Sequence, residues 1–286
     1  MKYAFIREQS AFYRAARLIS VLGVSASGYY DWLRRPESRR ARENRALVSK
    51  IKVLHRASHQ IYGSPRVHRD LLSYGESVGV NRVARLMRDH GIKSKMAKRF
   101  VVTTDSKNTM DTAPDRLKRN FYTAERDTAW VSDTTFIATR EGWMYLAVVI
   151  DLYSRMVVGW SMSKSNNAQL VQDALTMAIW RRGVKQSVVV HSDQGSTYAS
   201  KVYQEQLEAH GLICSMSRKG ECLDNAVAES FFGTLKTEWV DRKVYSSRKQ
   251  AKQSIFEYIE VFYNRKRRHS YLGYVSPEEF ERMNAY

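Results

Sequence analysis

Hydrophobic and polar positions along this chain change their period once. Over residues 1–102 the apolar positions recur at helical spacing, and from about residue 126 they gather into short runs rich in β-branched and aromatic side chains. "RAARLISVLGVSASGYYDWLRR", residues 14–35, carries an apolar helical stripe, a stop at Gly23, a Ser25 able to cap, and a second short stretch with Tyr29, Trp32 and Leu33. Two short helices around a glycine turn predict a helix-turn-helix-like segment over 1–40. A second unit of this kind is predicted over 41–102, where Ser64-Pro65 open one helix through "RVHRDLLSYG" and Asn81 starts another, "NRVARLMRDHG", that stops at Gly91. In that last helix Val83, Leu86 and Met87 face inward while Arg82, Arg85 and Arg88 lie on other faces, free to meet phosphates. An ordinary helical hairpin would show the same pattern. The stretch between the units, "RRPESRRARENRALVSKIK", reads as a basic helix or linker.

Residues 103–125 form the predicted linker, because "TTDSKNTMDTAPDRLKRN" is polar and holds a proline. Strands follow it. "AWVSDTTFIAT" (129–139), "GWMYLAVVIDLYS" (142–154) and "RMVVGWSMS" (155–163) are joined by short polar turns and predict an antiparallel meander, with Trp130, Trp143 and Trp160 in the core. An amphipathic helix over 168–182, a strand over 188–191, a helix near 200–210 and a short strand in "LICSMS" complete the order βββαβαβ. A crossover helix must connect strands 1 and 4, so these can run parallel and adjacent, with their ends together. The pattern assigns 126–240 to an α/β core with a mixed five-stranded sheet, and 241–286 to a basic helical extension.

Charge adds a partner to this outline. Lys and Arg total 47 against 29 Asp and Glu, a formal +18, and residues 1–125 alone hold 26 basic against 11 acidic side chains. An excess of this size points to a polyanion, with the amino-terminal half as the binder. No run of eighteen apolar residues exists, and the first thirty residues lack a signal-peptide hydrophobic region, so a soluble, cytoplasmic, nucleoid-associated protein with no membrane partner is expected. Two cysteines, Cys214 and Cys222, exclude a disulfide framework. His55 and His59 stand at H-x-x-x-H spacing, but no C-x-x-C accompanies them to make a zinc module.

Candidate chemistry sits at the strand ends. "VVVHSDQGSTY" (188–198) is a buried strand that runs into Asp193, and "WVSDTTF" places Asp133 in the first strand. If strands 1 and 4 are neighbours the two carboxylates face each other, and a cation is needed between them. Oxygen ligands select Mg²⁺ or Mn²⁺ over zinc. A third acid is available in "ECLDNAVAESFFGTLKTEWV": read as one helix, Leu223, Val227, Phe231, Leu235 and Trp239 form a buried stripe, while Asn225, Glu229 and Lys236 share another face. Glu229 then points to the aspartates and Lys236 to a phosphate, and a close approach of DNA or of the sheet accounts for Gly233. Asp151, at the end of "VVIDLYSR", reads as structural, and His191 as a packed strand residue.

Asp133, Asp193 and Glu229, the last two separated by 35 residues, resemble the D-D-(35)-E triad of DDE transposases and retroviral-type integrases. More narrowly, "LGVSASGYYDWLRR", "YGSPRVHRDL", "VNRVARLMRDHGI", "EGWMYLAVVIDLYSRMVVGWSMS" and "YNRKRRHSYLGYVSPEEFE" resemble the frame B transposase of two-frame bacterial insertion sequences. The resemblance covers nearly the whole chain. It implies a ribonuclease H-like catalytic core preceded by helix-turn-helix segments, with two Mg²⁺ or Mn²⁺ ions held by the three acids for DNA strand cleavage and 3′-hydroxyl strand transfer. It also implies a partner protein encoded in an upstream frame, a homo-oligomer assembled on DNA, and DNA contacts from the cations of "RKRRHS", namely Arg265, Arg267 and Arg268. Two other functions fit the same motifs: an inert DNA-binding regulator derived from a transposase, and a nuclease that cuts without joining.

Overall fold

A computed structural model of the chain describes residues 1–95, 113–183, 187–218 and 222–285, so residues 103–112 of the expected linker lie outside the described residues. Helices α1 (Lys2–Gln9), α2 (Ala15–Val21) and α3 (Ala26–Arg34) close a small core of their own around Ile6, Ile19 and Tyr29. Ser25 starts α3 as the pattern predicts, its hydroxyl accepting from the Gly28 N–H at 3.3 Å.

The second unit is α4 (Arg39–Ala57), α5 (Ser64–Ser73) and α6 (Val80–Asp89). The basic stretch between the units is therefore helix. Ser38 caps α4 by accepting from the Ala41 N–H. Leu47, Val48 and Ile51 of α4 bury against Val67 and Leu71 of α5 and Val83, Leu86 and Met87 of α6.

The strands are β1 (Ala129–Thr139), β2 (Gly142–Asp151), β3 (Val157–Ser163), β4 (Val189–Ser192) and β5 (Ile213–Met216), with α7 (Ala168–Arg182) after β3 and α8 (Lys201–Ala209) after β4. Their spatial order is β3-β2-β1-β4-β5; the first three are antiparallel, whereas β4 runs parallel to β1 and β5 parallel to β4. This is the ribonuclease H-like arrangement. Side chains alternate between the faces. Trp130, Ala147, Val149 and Val158 pack on α7 and α8, and Val131, Leu146, Val148 and Ile150 pack on the opposite layer. Gly159 lets α7 lie directly on β3, since a Cβ there would stand 2.1 Å from the Ala174 carbonyl oxygen. Trp143 is not a core residue: at the β1–β2 hairpin end it is 53% exposed, its ring against the edge of Phe136.

Helix α9 (Ala226–Leu235) begins the second layer, and its last turn widens into π-helical winding over Lys236–Val240. The single helix expected from 221 onward instead opens with a 3₁₀ turn, Cys222–Asn225. Helix α10 (Arg248–Phe256), a π-helical run Glu257–Tyr263 and α11 (Pro277–Met283) follow. Residues 241–286 are more than an appendage: Ile255, Tyr258, Ile259, Phe262 and Tyr263 share one hydrophobic core with β1, β2, α9 and the α4–α6 unit.

A buried ion pair ties these pieces together. Arg267 donates from Nε and Nη2 to the two carboxylate oxygens of Glu238, each at 2.7 Å, and the Tyr258 hydroxyl donates to Glu238 at 2.9 Å. Arg66 of α5 stands 3.7 Å from the same carboxylate, and Lys95 donates to the Glu238 carbonyl. Arg268 pairs with Asp70 of α5. Removing one partner of such a pair strands a buried charge, at a cost of roughly 3–5 kcal/mol. Glu238→Ala should therefore lower the unfolding free energy by about that much in denaturant titration, and Glu238→Leu with Arg267→Met should recover most of it. A silent Glu238→Ala would mean that the pair does not hold the layers together.

Candidate active site

β1 and β4 pair through Ala129 with Val189, Trp130 with Val190 and Val131 with His191. Continued two residues, that register sets Asp133 beside Asp193, on strands about 4.8 Å apart. Asp133 accepts the Thr134 N–H at 2.7 Å and Asp193 the Gly195 N–H at 3.0 Å. A Cβ at position 195 would stand 2.9 Å from Oδ1 of Asp193, so glycine there lets the turn fold onto the carboxylate. Burial raises both carboxyl groups above the usual range; for Asp133 the charge of Asp193 adds to this, and Glu229 contributes further in the same direction. The charge of Lys236 acts in the opposite direction and pulls Asp133 down.

Glu229 arrives on α9 through its anchored amino-terminal end. His191 of β4 uses Nε2 on the Asp224 carbonyl at 3.0 Å, and Asn225 donates from Nδ2 to the Ser132 carbonyl of β1 at 3.2 Å. The two strands that carry the aspartates thus both hold the turn before α9. The tautomer of His191 follows from the Asp224 carbonyl, which can only accept: Nε2–H donates to it, and Nδ1 accepts from the Ser215 hydroxyl, whose Oγ also accepts the Arg116 N–H. Asp224 is itself buried and clamped by Arg218 and Arg119, which hold its carboxyl well below the usual range. Under Asp133, Ser132 donates to the Val148 carbonyl and pairs with the Tyr198 hydroxyl at 3.0 Å.

Lys236 reaches back toward β1, its ammonium 5.0 Å from the Phe136 ring centroid. Burial lowers its pKa, opposed by Asp241 and Asp133. It is therefore part of the electrostatics around the aspartates. The other cations expected to meet DNA divide into two groups. Arg85 and Arg88 are exposed on α6, and Arg265 is exposed apart from a 3.7 Å approach to Glu278. Arg82 is already bonded to Asn44 and Glu43, Arg268 to Asp70, and Arg267 is fully occupied by Glu238. Asn225, 4% exposed, holds the turn before α9 through the Ser132 carbonyl and is buried, so it is not on the surface where a DNA contact was expected. Glu238, Asp224 and Tyr198 were not legible as site-supporting residues, since their partners are distant in sequence.

His55 bonds the Lys93 carbonyl, and His59 packs its edge on Trp239 and Phe262. Among the described residues no three His, Cys, Asp or Glu side chains are gathered closely enough to hold a metal as they stand. Asp133 and Asp193 nonetheless fit a hard divalent cation: they are adjacent, oxygen-only, and each has a single backbone N–H to offset its charge.

A sheet of this order with paired aspartates, one within β1 and one just past the end of β4, defines an integrase-type core. Family models agree: residues 124–222 and 229–284 each match an integrase core domain, and residues 41–100 match an HTH-like domain. The chain is 41% identical over 286 residues to the InsF transposase of insertion sequence IS3A from Escherichia coli strain K12, covering 99% of each. It is 40% identical over 263 residues to an uncharacterized 31 kDa protein of insertion element IS600 from Shigella sonnei, covering 92% of this chain and 97% of that one. The protein belongs to the family of insertion-sequence transposases that includes InsF. Among solved structures, the HTLV-2 integrase catalytic core domain in complex with magnesium is 15% identical with a TM-score of 0.42, covering 55% of this chain and 97% of that one, a likeness too slight to support an inference.

The raised carboxyl groups give the site a pH signature. Because Asp133 and Asp193 bind protons more tightly folded than unfolded, their contribution to stability is present below the unfolded value of about 3.9 and is lost as pH rises through their folded values. Asp151, raised to about 7 by burial, adds a slope of the same sign. With divalent cations chelated, thermal stability should fall between about pH 5 and pH 8, and fall less in Asp133→Asn, which keeps Asp151 but removes the repulsion. Parallel pH profiles for wild type and variant would show that the aspartates do not oppose each other.

Proposed function

We propose that the protein is a DNA transposase, a polynucleotidyl transferase that cleaves a strand at the ends of an insertion sequence and joins the freed 3′-hydroxyl to target DNA. The observation that carries this reading is the parallel register that brings Asp133 beside Asp193, with Glu229 entering from α9, in a chain of the transposase family. Asp133, Asp193 and Glu229 would hold two Mg²⁺ or Mn²⁺ ions. When bound, such ions supply Lewis-acid polarisation of the phosphate and neutralise charge at the leaving oxygen. Asp133 and Asp193 are pre-placed by the sheet, while Glu229 closes from the helix side. Lys236 stabilises the approaching phosphate from above Phe136. Gly195 keeps the Asp193 turn tight, and His191 and Asn225 fix the angle of α9.

DNA grip outside the site falls to the exposed cations, foremost Arg85 and Arg88 on α6. Assembly as a homo-oligomer on DNA, and cooperation with an upstream-frame protein, belong to the same reading. The residue groups 1–40, 41–102, 126–240 and 241–286 serve as a helix-turn-helix-like segment, a DNA-binding unit, the catalytic core and an extension folded onto that core. Among the described residues no helix is long and apolar enough to cross a membrane.

Each of Asp133→Asn, Asp193→Asn and Glu229→Gln should abolish cleavage and joining in Mg²⁺ while leaving DNA affinity within about twofold, since these charges hold metal and not phosphate. A strand-transfer assay on labelled element ends decides it, and full activity in any one variant removes that residue from the triad. In wild type, Mg²⁺ should also raise the melting temperature, and the Asp133→Asn protein should lose that rise.

Lys236→Ala should slow joining at saturating Mg²⁺ by about tenfold to a hundredfold, the size expected for one lost charge-assisted contact to a phosphate. Lys236→Glu should be slower still. Wild-type single-turnover rates in both would return Lys236 to a purely structural contact with Phe136.

A further inference from the structure

Helix α9 has a second face beside Glu229, where Ala226 is followed at steps of four by the hydroxyls of Ser230 and Thr234, and two cavities open along it. The larger, about 540 Å³, lies against α5 and the π-helical turn and includes Arg66, Lys95, Gly233 and Thr237. The smaller, about 210 Å³, is walled by Arg155, Ser230, Thr234, Tyr263, His269 and Tyr271. Ser230, Thr234 and Arg267 line both, so the two form one groove along the helix that carries Glu229. A Cβ at Gly233 would meet nothing within 4 Å. Sheet packing therefore does not require that glycine.

Arg155, on the wall of the smaller cavity, carries an unmet cationic donor. Arg155 is 6% exposed; its Nη2 donates to the Phe121 carbonyl at 2.9 Å, and its Nη1 has no hydrogen-bond partner among the described residues. Leaving a buried guanidinium N–H unpaired is strongly unfavourable. The chain nevertheless holds Arg155 there at φ +58°, a left-handed conformation, by its N–H on the Asp151 carbonyl and the Tyr263 hydroxyl on its own carbonyl. Tyr271 fixes the plane of the guanidinium from 4.2 Å. Nδ1 of His269, also on this wall, is a second buried nitrogen without a partner among the described residues. Among the described residues no carboxylate lines this smaller cavity, whereas Glu238 lines the larger one, where it is paired with Arg267.

We propose that this cavity is a phosphate subsite, in which one backbone phosphate of the DNA end sits against Arg155 while the neighbouring phosphodiester meets the Asp133–Asp193 pair. It rests on the transposase reading for the identity of the DNA. The chemistry fits: Nη1 of Arg155 and the Nδ1–H tautomer of His269 donate to phosphate oxygens, with the Ser230 and Thr234 hydroxyls on the helix side. The size fits as well, because 210 Å³ is below the usual range for whole ligands, about 300–1,000 Å³, yet admits a single tetrahedral anion. Burial, followed by the charges of Arg267, Arg155 and Arg66, lowers the His269 pKa to about 3, so its imidazole is neutral and an entering anion would meet a net positive wall.

The test uses the full chain and two variants. Arg155→Gln removes the donor, and Thr234→Leu fills the cavity while keeping every charge. Titration with inorganic phosphate at constant ionic strength, read by calorimetry, should give saturable binding to wild type that weakens by about tenfold or more in each variant. Absence of saturable binding, or binding that survives both substitutions, overturns the subsite. The DNA arm replaces backbone phosphates of an element-end duplex one at a time by neutral methylphosphonates. One position should weaken wild-type binding by about tenfold and leave Arg155→Gln unchanged. If free phosphate binds but no backbone position is sensitive, the subsite serves a free anion and its assignment to DNA falls. Neither arm requires catalysis, so a protein that passes both yet cuts no DNA refutes the transposase reading and not the subsite.

Discussion

Two carboxylates held side by side in a half-buried cleft repel each other, and the parallel pairing of β1 with β4 leaves Asp133 and Asp193 no way apart. The surrounding structure can be understood as the means of tolerating that pairing. Each aspartate receives one backbone N–H, Lys236 adds a partial counter-charge, and the sheet beneath is too well buried on both faces for the strands to slide. A one-residue slip of β4 would turn every side chain of the strand to the opposite face, carrying His191 away from Asp224. Register and site geometry are therefore the same constraint.

The third acid depends on that constraint less directly. Glu229 is on a helix outside the sheet, and its position follows from the turn before α9, which His191 and Asn225 attach to β4 and β1. Asp224 in that turn is buried with a full charge, supported by Arg119 and Arg218 from outside. At the other end of the helix Glu238 is fixed by Arg267, Tyr258 and Arg66. A helix anchored at both ends by charged groups can hold a carboxylate at a set distance without burying that carboxylate itself.

Much of this was legible in the sequence, and the residues that were not share a physical reason. The three-strand meander, α7 and the parallel β4 could be read because a period of two or 3.6 is carried by many apolar positions at once. Asp133 and Asp193 could be read because they interrupt such runs. Asn225 was misplaced because the Ser132 carbonyl that holds it is distant in sequence. Arg267 looked no different from Arg265 in "RKRRHS"; only the arrival of Glu238, 29 positions earlier, separates a buried structural cation from an exposed one. The role of residues 241–286 as a core layer was hidden for the same reason: Tyr258, Phe262 and Tyr263 are ordinary aromatic spacing until β1 and β2 are set against them.

The fate of the cations also changes what the net charge means. A formal +18 suggests a uniformly adhesive surface, yet Arg267, Arg268, Arg82 and Arg182 are engaged by carboxylates or amides inside the fold. Many other cations stay exposed, Arg85 and Arg88 among them. Arg85 and Arg88 project from the outer side of α6, whose inner side, Val83, Leu86 and Met87, lies in the same hydrophobic core as Phe231 and Leu235 of α9. Close-packed interiors transmit displacement with little slack. The α6 surface is thereby held in a fixed relation to the helix of Glu229, as the proposed DNA contact of Arg85 and Arg88 requires, and the Arg66 contact to Glu238 spans the same junction. The ion pairs that remove cations from the surface are thus what give the remaining ones a defined distance to the aspartates.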